Sequence, residues 1–417
     1  MSVAETFDEV SDNRSLPDGW RRVKLREVVA DAQGGFASGA RDPHGVIQLR
    51  MNNVTNRGNF DWSSFIRVPA DAETIEAYSL KQGDVLFNNT NSTELVGKSA
   101  LFESYPEPVV FSNHFTRLRA VEEKLSSSFL ALWLQAQWQK RVFENICNRW
   151  IGQSAVQKDK LLSLEIPLPP LSEQKRIAAI LTKRIEAIEQ ARTATEEQLK
   201  AAKLLPFAHL RNVFESDAAK RWPRKRVGEI STLIIDGPHV TPKYVPSGVP
   251  FLTVRNIVSR KIDLSDVSYV SPEDHAAFIK RGKAEQGDIL YTKDGTMGIP
   301  CVVDTDMEFS FFVSVALIKI QKDIANPHYV AFALESPDAL KQVENLGAGA
   351  GLKHMVLKSI RALEIPLPTM EEQSRIATIL KGKLAVVRQL KKELSEQLAS
   401  INKLSSSLLR QAFNGEL

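Results

Sequence analysis

A block of eighteen residues occurs twice in this chain of 417, and its return fixes the organisation before any single residue is interpreted. Residues 164–181 read LEIPLPPLSEQKRIAAIL, and residues 363–380 read LEIPLPTMEEQSRIATIL, so thirteen of eighteen positions are identical at an offset of 199. The register continues downstream, with Leu199 matching Leu398, Leu205 matching Leu404 and Phe214 matching Phe413. Upstream, Gly152 matches Gly351. At offsets of 202 to 204 the match extends to Trp20 with Trp222, Glu27 with Glu229, Asn53 with Asn256, and Gln82-Gly83-Asp84 with Gln286-Gly287-Asp288. The chain is two tandem units, each a divergent globular part followed by a closely similar helical part. Scaffolds that agree while globular parts diverge point to one task performed on two different targets. Duplication without a functional split is the competing reading.

The helical parts follow from their punctuation. Prolines 167, 169 and 170 forbid regular helix, so the chain should run extended to Leu171, with Ser172 as the helix cap in the first copy and Glu371 in its place in the second. From Ile376 the apolar residues Leu380, Val387, Leu394, Ile401 and Leu408 recur as a coiled-coil stripe, with Leu390 and Leu404 on the same seam. The first copy keeps Leu181 and Ile188 but places Thr195, Ala202 and His209 at the corresponding positions, which predicts a weaker seam. Helices of roughly 35 residues, about 50 Å long, cannot bury such a stripe against a small domain, so the two copies are expected to pack antiparallel in a pseudo-two-fold relation. Ile177, Ile185 and Leu384 would then remain on a flank able to receive another protein, the alternative being ordinary intrachain core.

The globular parts read as mixed strand and short helix. Residues 109–111 and 309–320 have the form of buried strands, and residues 129–142 and 329–343 that of amphipathic helices. Each Gln-Gly-Asp turn feeds a strand and then a polar loop of small residues. Side-chain amides pair with adenine edges, guanidinium groups with guanine, and cations with phosphate. On that chemistry the candidate DNA contacts of the first part are Arg50, Asn52, Asn53, Arg57, Asn88, Asn89, Lys98, His114 and Arg149. Those of the second are Lys243, Arg255, Asn256, Lys293, Lys353 and His354. The same residue types also make solvated turns. Trp133 and Trp138 sit among leucines and read as core, whereas Trp62 and Trp150 could serve either core or stacking.

Composition bounds the chemistry. A formal net charge of +4 permits contact with nucleic acid without establishing it, and the basic runs at 21–26 and 220–226 read most simply as solvated strands opening each globular part. Cys147 and Cys301 lie far apart and read as buried thiols; with no apolar run of membrane-spanning length and no signal-peptide core, the expected location is the cytoplasm. Gly97-Lys98-Ser99 has the ending of a phosphate-binding loop, but Ser92 stands where the pattern needs its first glycine. Asn326-Pro327-His328-Tyr329 lacks the second proline of an amino-methylating loop, and the seven histidines are scattered singly. No catalytic residue and no metal site is assigned.

The repeated Ile-Pro-Leu-Pro and Glu-Gln-x-x-Arg-Ile-Ala blocks at 166–178 and 365–377 resemble those of type I restriction-modification specificity subunits. The resemblance runs from Trp20 to about Phe413. It implies a mixed α/β fold in which two tandem target-recognition domains are separated by two long antiparallel, coiled-coil-like helices. The corresponding boundaries are an N-terminal tail at 1–18, a first recognition domain at 19–163, a central helical region at 164–218, a second recognition domain at 219–362 and a terminal helical region at 363–417. Each domain would read one half of a bipartite, asymmetric sequence in double-stranded DNA. Two modification subunits, adenine methyltransferases using S-adenosylmethionine, would dock along the helices, and restriction and translocase subunits would add ATP- and Mg-dependent cleavage. None of these cofactors is expected on this chain. The alternatives are a protein-binding structural adaptor and a free-standing fused modification or restriction enzyme.

Overall fold

The computed structural model describes residues 16–347 and 354–417. It forms two compact units, one of residues up to Ala194 together with Gln397–Leu417, the other of Thr195–Glu396.

In the first unit a four-stranded antiparallel sheet runs in the order Val29–Gly34, Phe115–Ala120, Val85–Asn88, Ser99–Leu101. A three-stranded sheet places Val46–Leu49 between Ile66–Val68, antiparallel to it, and Val109–Phe111, parallel to it. The second unit repeats both sheets strand for strand: Ser231–Asp236, Val315–Ile320, Ile289–Thr292 and Pro300–Val302 in one, and Ser268–Val270, Val249–Leu252 and Ser310–Phe311 in the other. Val, Ile, Phe and Leu dominate the strands Val46–Leu49, Val85–Asn88, Val109–Phe111 and Ile289–Thr292, which are buried along their whole length, as suits branched and aromatic side chains. The apolar stretch 309–320 is two strands rather than one, because residues 312–314 turn between the sheets. Residues 329–343 likewise belong to two helices, Pro327–Leu334 and Pro337–Gly347, the second opened by Pro337 at its first turn.

Each basic run contains a strand that closes its unit, although Lys220 and Arg221 belong to the short helix Asp217–Arg221. Arg21–Lys24 pairs antiparallel with Glu165–Leu168, and Arg224–Arg226 pairs with Glu364–Pro366. A two-stranded ribbon has a free edge on each strand, so prolines 167 and 366 are accommodated there. The long helices begin earlier than the expected caps: the first is Leu171–Phe214 and the second Met370–Phe413, 44 residues each and about 66 Å long at the usual rise. Neither Ser172 nor Glu371 is the cap, since both lie inside the helix; in the second copy Thr369 Oγ1 accepts from the Glu372 amide at 3.4 Å.

The repeated block has a structural explanation. Gln174 and Gln373 are buried and clamp the first turn of each long helix to the globular part beside it. Gln174 Nε2 donates to the carbonyls of Pro169 and Lys124, both at 2.9 Å, while its Oε1 accepts from the Ser126 amide at 2.9 Å. Gln373 repeats all three bonds with Pro368 at 2.9 Å, Ile324 at 3.2 Å and Asn326 at 2.8 Å. Ile177 and Ala178, like Ile376 and Ala377, enter the cores. The Gln-Gly-Asp turns are equally alike. Gly83 and Gly287 adopt φ of 89° and 88°, and Asp84 and Asp288 each accept the amide three residues upstream at 2.8 Å and pair with Arg119 at 2.7 Å and Lys319 at 2.8 Å respectively.

Within the first unit Ile177, Ala178 and Leu181 share a core with Leu408, Leu409, Ala412 and Phe413, so the start of one long helix meets the end of the other. Within the second, Leu210 and Phe214 share a core with Ile376, Ala377 and Leu380. The antiparallel pairing expected from the sequence is present in each unit. The seam is narrower than the sequence suggested: Leu380, Val387, Leu394, Ile401 and Leu408 are buried, but Leu390 and Leu404 are 36% and 50% exposed. A single partner helix covers one row of the stripe and leaves its neighbour in solvent. Thr195 and Ala202 are buried at their positions despite their size.

Candidate nucleic-acid interface

In the first unit three loops and a hairpin meet. Residues 50–53 form a 3-10 turn after the strand Val46–Leu49, and that strand's parallel partner delivers residues 112–114 beside it, through the Ser112 amide to the Leu49 carbonyl at 3.0 Å. The Asn89 amide donates to the His114 carbonyl at 3.0 Å, and the Asn89 carbonyl accepts from Val156 at 2.9 Å. Thr90–Asn91 pairs with the hairpin strand Gln153–Ala155, and Thr93 Oγ1 and Ser154 Oγ lie 2.7 Å apart. Partial burial, with the Arg50 charge second, holds the His114 imidazole below its ordinary pKa.

The burial pattern divides the sequence candidates. Asn53 is buried: its Oδ1 accepts from the Arg50 amide at 2.9 Å and its Nδ2 donates to the carbonyls of Asp61 at 3.0 Å and Ser64 at 2.6 Å. Asn256 repeats this arrangement with Thr253, Asp263 and Asp266. Asn88 is buried, donating to the Thr90 and His114 carbonyls at 3.0 and 2.9 Å and accepting from Asn91 at 2.6 Å. Lys98 spends its ammonium on the Val54 carbonyl at 2.5 Å, and burial lowers its pKa. Gly97 before it, at φ 93°, abuts the Phe143 ring, so the Gly-Lys-Ser run is a packing feature. Lys293 is buried 3.6 Å from Asp236 and 3.7 Å from Asp294. These five side chains are buried and hold their own loops together, in contrast to the exposed role expected from residue type.

The remaining candidates face solvent wholly or in part. Asn52 and Arg255 occupy equivalent exposed positions, Arg255 in an ion pair with Asp266 at 3.0 Å. Arg50 and His114 are half-buried side by side, and Asn89 is half-buried with its amide on Thr116 at 3.1 Å. Arg149 is exposed on the hairpin. Arg57 departs from this group, pairing at 3.2 Å with Glu189 of the first long helix on the wall of a cavity of about 920 Å³. In the second unit Lys243 is exposed, and His354 is paired through Nδ1 with Asp294 where the backbones of those two residues form a bridge. Lys353 lies outside the described residues.

Sequence reasoning missed Tyr244 and Val240, which are exposed beside Lys243, and Arg281 and His239, which flank Asp236 at 3.5 and 3.4 Å. It left Trp150 open, and Trp150 is exposed, whereas Trp62 stacks on Tyr105 at 4.2 Å. On the helices Ile177 and Leu384 are buried within their units, so the partner flank expected there is corrected; Ile185 is half-buried on the same cavity as Arg57. Identical residues that face outward include Arg176 and Arg375, in pairs with Glu173 at 2.7 Å and Glu372 at 2.6 Å; one turn on, Ile180 is half-buried and Ile379 exposed.

Comparison with known proteins bears on what these units are for. The model of the type I restriction modification DNA specificity domain matches twice, at residues 17–200 and 220–400. A protein of Methanocaldococcus jannaschii named as the type I restriction enzyme MjaX specificity subunit is 28% identical, over 94% of this chain and 93% of its own length. The type I restriction enzyme EcoKI specificity subunit of Escherichia coli K12 is 25% identical, over 96% of this chain and 90% of its own. Among solved structures, the HsdS subunit from Thermoanaerobacter tengcongensis superposes with a TM-score of 0.63 at 24% identity, covering 97% of this chain and 99% of that one. A chain from a study of type I R-M system assembly and conformational transition reaches 0.73 at 23% identity, covering 97% and 100%. The two structures share the fold.

Proposed function

The chain belongs to the type I restriction-modification DNA specificity family, whose members recognise DNA sequence, and from that premise we propose that each globular part reads one half of a bipartite, asymmetric target for enzymes carried by other subunits. The observation that supports this most is the contrast between the two copies. Their scaffolds agree down to single hydrogen bonds, at Gln174 and Gln373 and at Asp84 and Asp288. Their solvent-facing loop positions differ, with exposed Asn52 answered by exposed Arg255, and in the sequence Trp150 aligns with Gly349. Two readers built alike and faced differently suit two unlike half-sites, with phosphate contacts positioning each unit and base-edge contacts specifying it.

The chain itself is non-catalytic in this reading and works in the cytoplasm. Two adenine methyltransferase subunits supply S-adenosylmethionine chemistry on flipped bases, and restriction and translocase subunits bring ATP and magnesium. The methyltransferases dock at the twice-present, partly exposed set of Glu173, Arg176 and Ile180 and of Glu372, Arg375 and Ile379; surface ion pairs add little to stability, so a shared partner is the better reason for their identity. The half-site gap follows from the paired long helices. Selection of randomised duplexes by the chain assembled with its methyltransferase subunits tests the proposal. Two short half-sites at a fixed gap are expected, and recovery of no split consensus would contradict it.

A further inference from the structure

The hairpin of Asn148–Trp150 and Gln153–Ala155 ends in an apolar tip that no packing explains. Trp150 is 60% exposed and Ile151 is fully exposed, and Gly152 closes the two-residue loop at φ 77°. A hairpin that needed only to turn would carry polar residues there. Its base, by contrast, is fixed: Arg149 lies opposite Ser154, which is buried, and Gln153–Ala155 pairs with Thr90–Asn91. The tip therefore projects from a paired base in the loop cluster described above.

Its surroundings are cationic. Lys140, Arg141, Arg149, Lys158 and Lys160 are all exposed between residues 140 and 160, against two carboxylates, Glu144 and Asp159, in the same span. An apolar tip flanked along the chain by exposed cations fits a polyanion with an apolar interior, which is duplex DNA. The two copies add a second argument. Surfaces that meet a partner present twice are kept, as Arg176 and Arg375 are, but through Gly152 and Gly351 the tip residues Trp150 and Ile151 align with Gly349 and Ala350. A feature confined to one copy belongs with the target that differs.

We propose that Trp150 and Ile151 form a wedge that enters the first half-site and parts two stacked base pairs, while Arg149 and its basic neighbours hold the flanking phosphates. The inference rests on the DNA-reading function and adds how the first domain deforms its target. The cost of unstacking one step is recovered by stacking of a base on the aromatic face.

The test uses the chain assembled with its methyltransferase subunits, a duplex bearing the selected target, and 2-aminopurine placed at successive positions of the first half-site. The wild-type complex should brighten the probe at one step. The double variant Trp150→Ser, Ile151→Ser should lose that signal and bind roughly ten- to a hundred-fold more weakly, with its salt dependence unchanged because no charge is removed. Arg149→Ala should instead reduce the salt slope by about one. The exposure of both tip side chains predicts that the double variant keeps its melting temperature and still assembles. Unchanged affinity and fluorescence in the double variant overturns the wedge. So does loss of assembly with the methyltransferase, which would make the tip a protein interface. A wild-type complex that selects no target overturns the DNA-reading function as well, and is told apart because it fails without any substitution.

Discussion

Gln174 shows how much a single side chain carries. It satisfies one amide and two carbonyls in a buried joint, and Gln174→Ala leaves all three without partners. Each orphaned buried group costs on the order of 1–3 kcal/mol, so chemical denaturation should show a loss of about 3 kcal/mol or more, whereas Glu173→Ala, which breaks only a surface pair, should stay within about 1 kcal/mol. His114 carries a pH signature. Its folded-state pKa is depressed, by burial and then by Arg50, so the folded chain takes up its proton later than the unfolded chain as pH falls. Stability contributed by the neutral ring is present above the unfolded pKa near 6.5 and declines below it. Melting temperatures taken from pH 7.5 down to 5 should fall less steeply for His114→Gln than for the wild type. Residue type alone misled where tertiary burial decided the outcome. The amides of Asn53 and Asn256 suit base edges by type, yet both are buried and bonded within their loops, and their identity in both copies fits a scaffold role. Asn88 and Lys98 offered no such signal, because only the packed structure brings the His114 and Val54 carbonyls within reach.

The long helices were legible as elements because a seven-residue apolar rhythm survives any detail of packing. Which rows of that rhythm are covered was not legible, since it depends on the partner. The structure buries Leu394 and leaves Leu390 exposed. Leu394→Ala should therefore cost about 2–5 kcal/mol and Leu390→Ala less than about 1 kcal/mol in denaturant titrations; equal losses would mean a wider seam. The first helix carries Pro206 in its interior, which removes one backbone bond where Ala202 sits in the core. The split of residues 329–343 into two helices could have been read from Pro337. The split of 309–320 could not, because its turn is spelled Phe312-Val313-Ser314 and hides within an apolar run.

At the scale of the whole molecule, tandem organisation was plain from the repeat, and the strand-for-strand equivalence of the two units extends it to regions where identity has nearly vanished. What the repeat could not convey is where recognition residues lie, since loops that differ between copies leave nothing to align. The account holds that each unit reads its own half of the target independently. The most direct measurement is a genome-wide map of adenine methylation in cells expressing the chain with its methyltransferase, compared with a chain whose residues 219–362 are exchanged for another recognition domain. The account predicts a bipartite motif in which the exchange rewrites one half and leaves the other half and the gap as they were. A motif without two halves, or an exchange that changes both halves together, would contradict it.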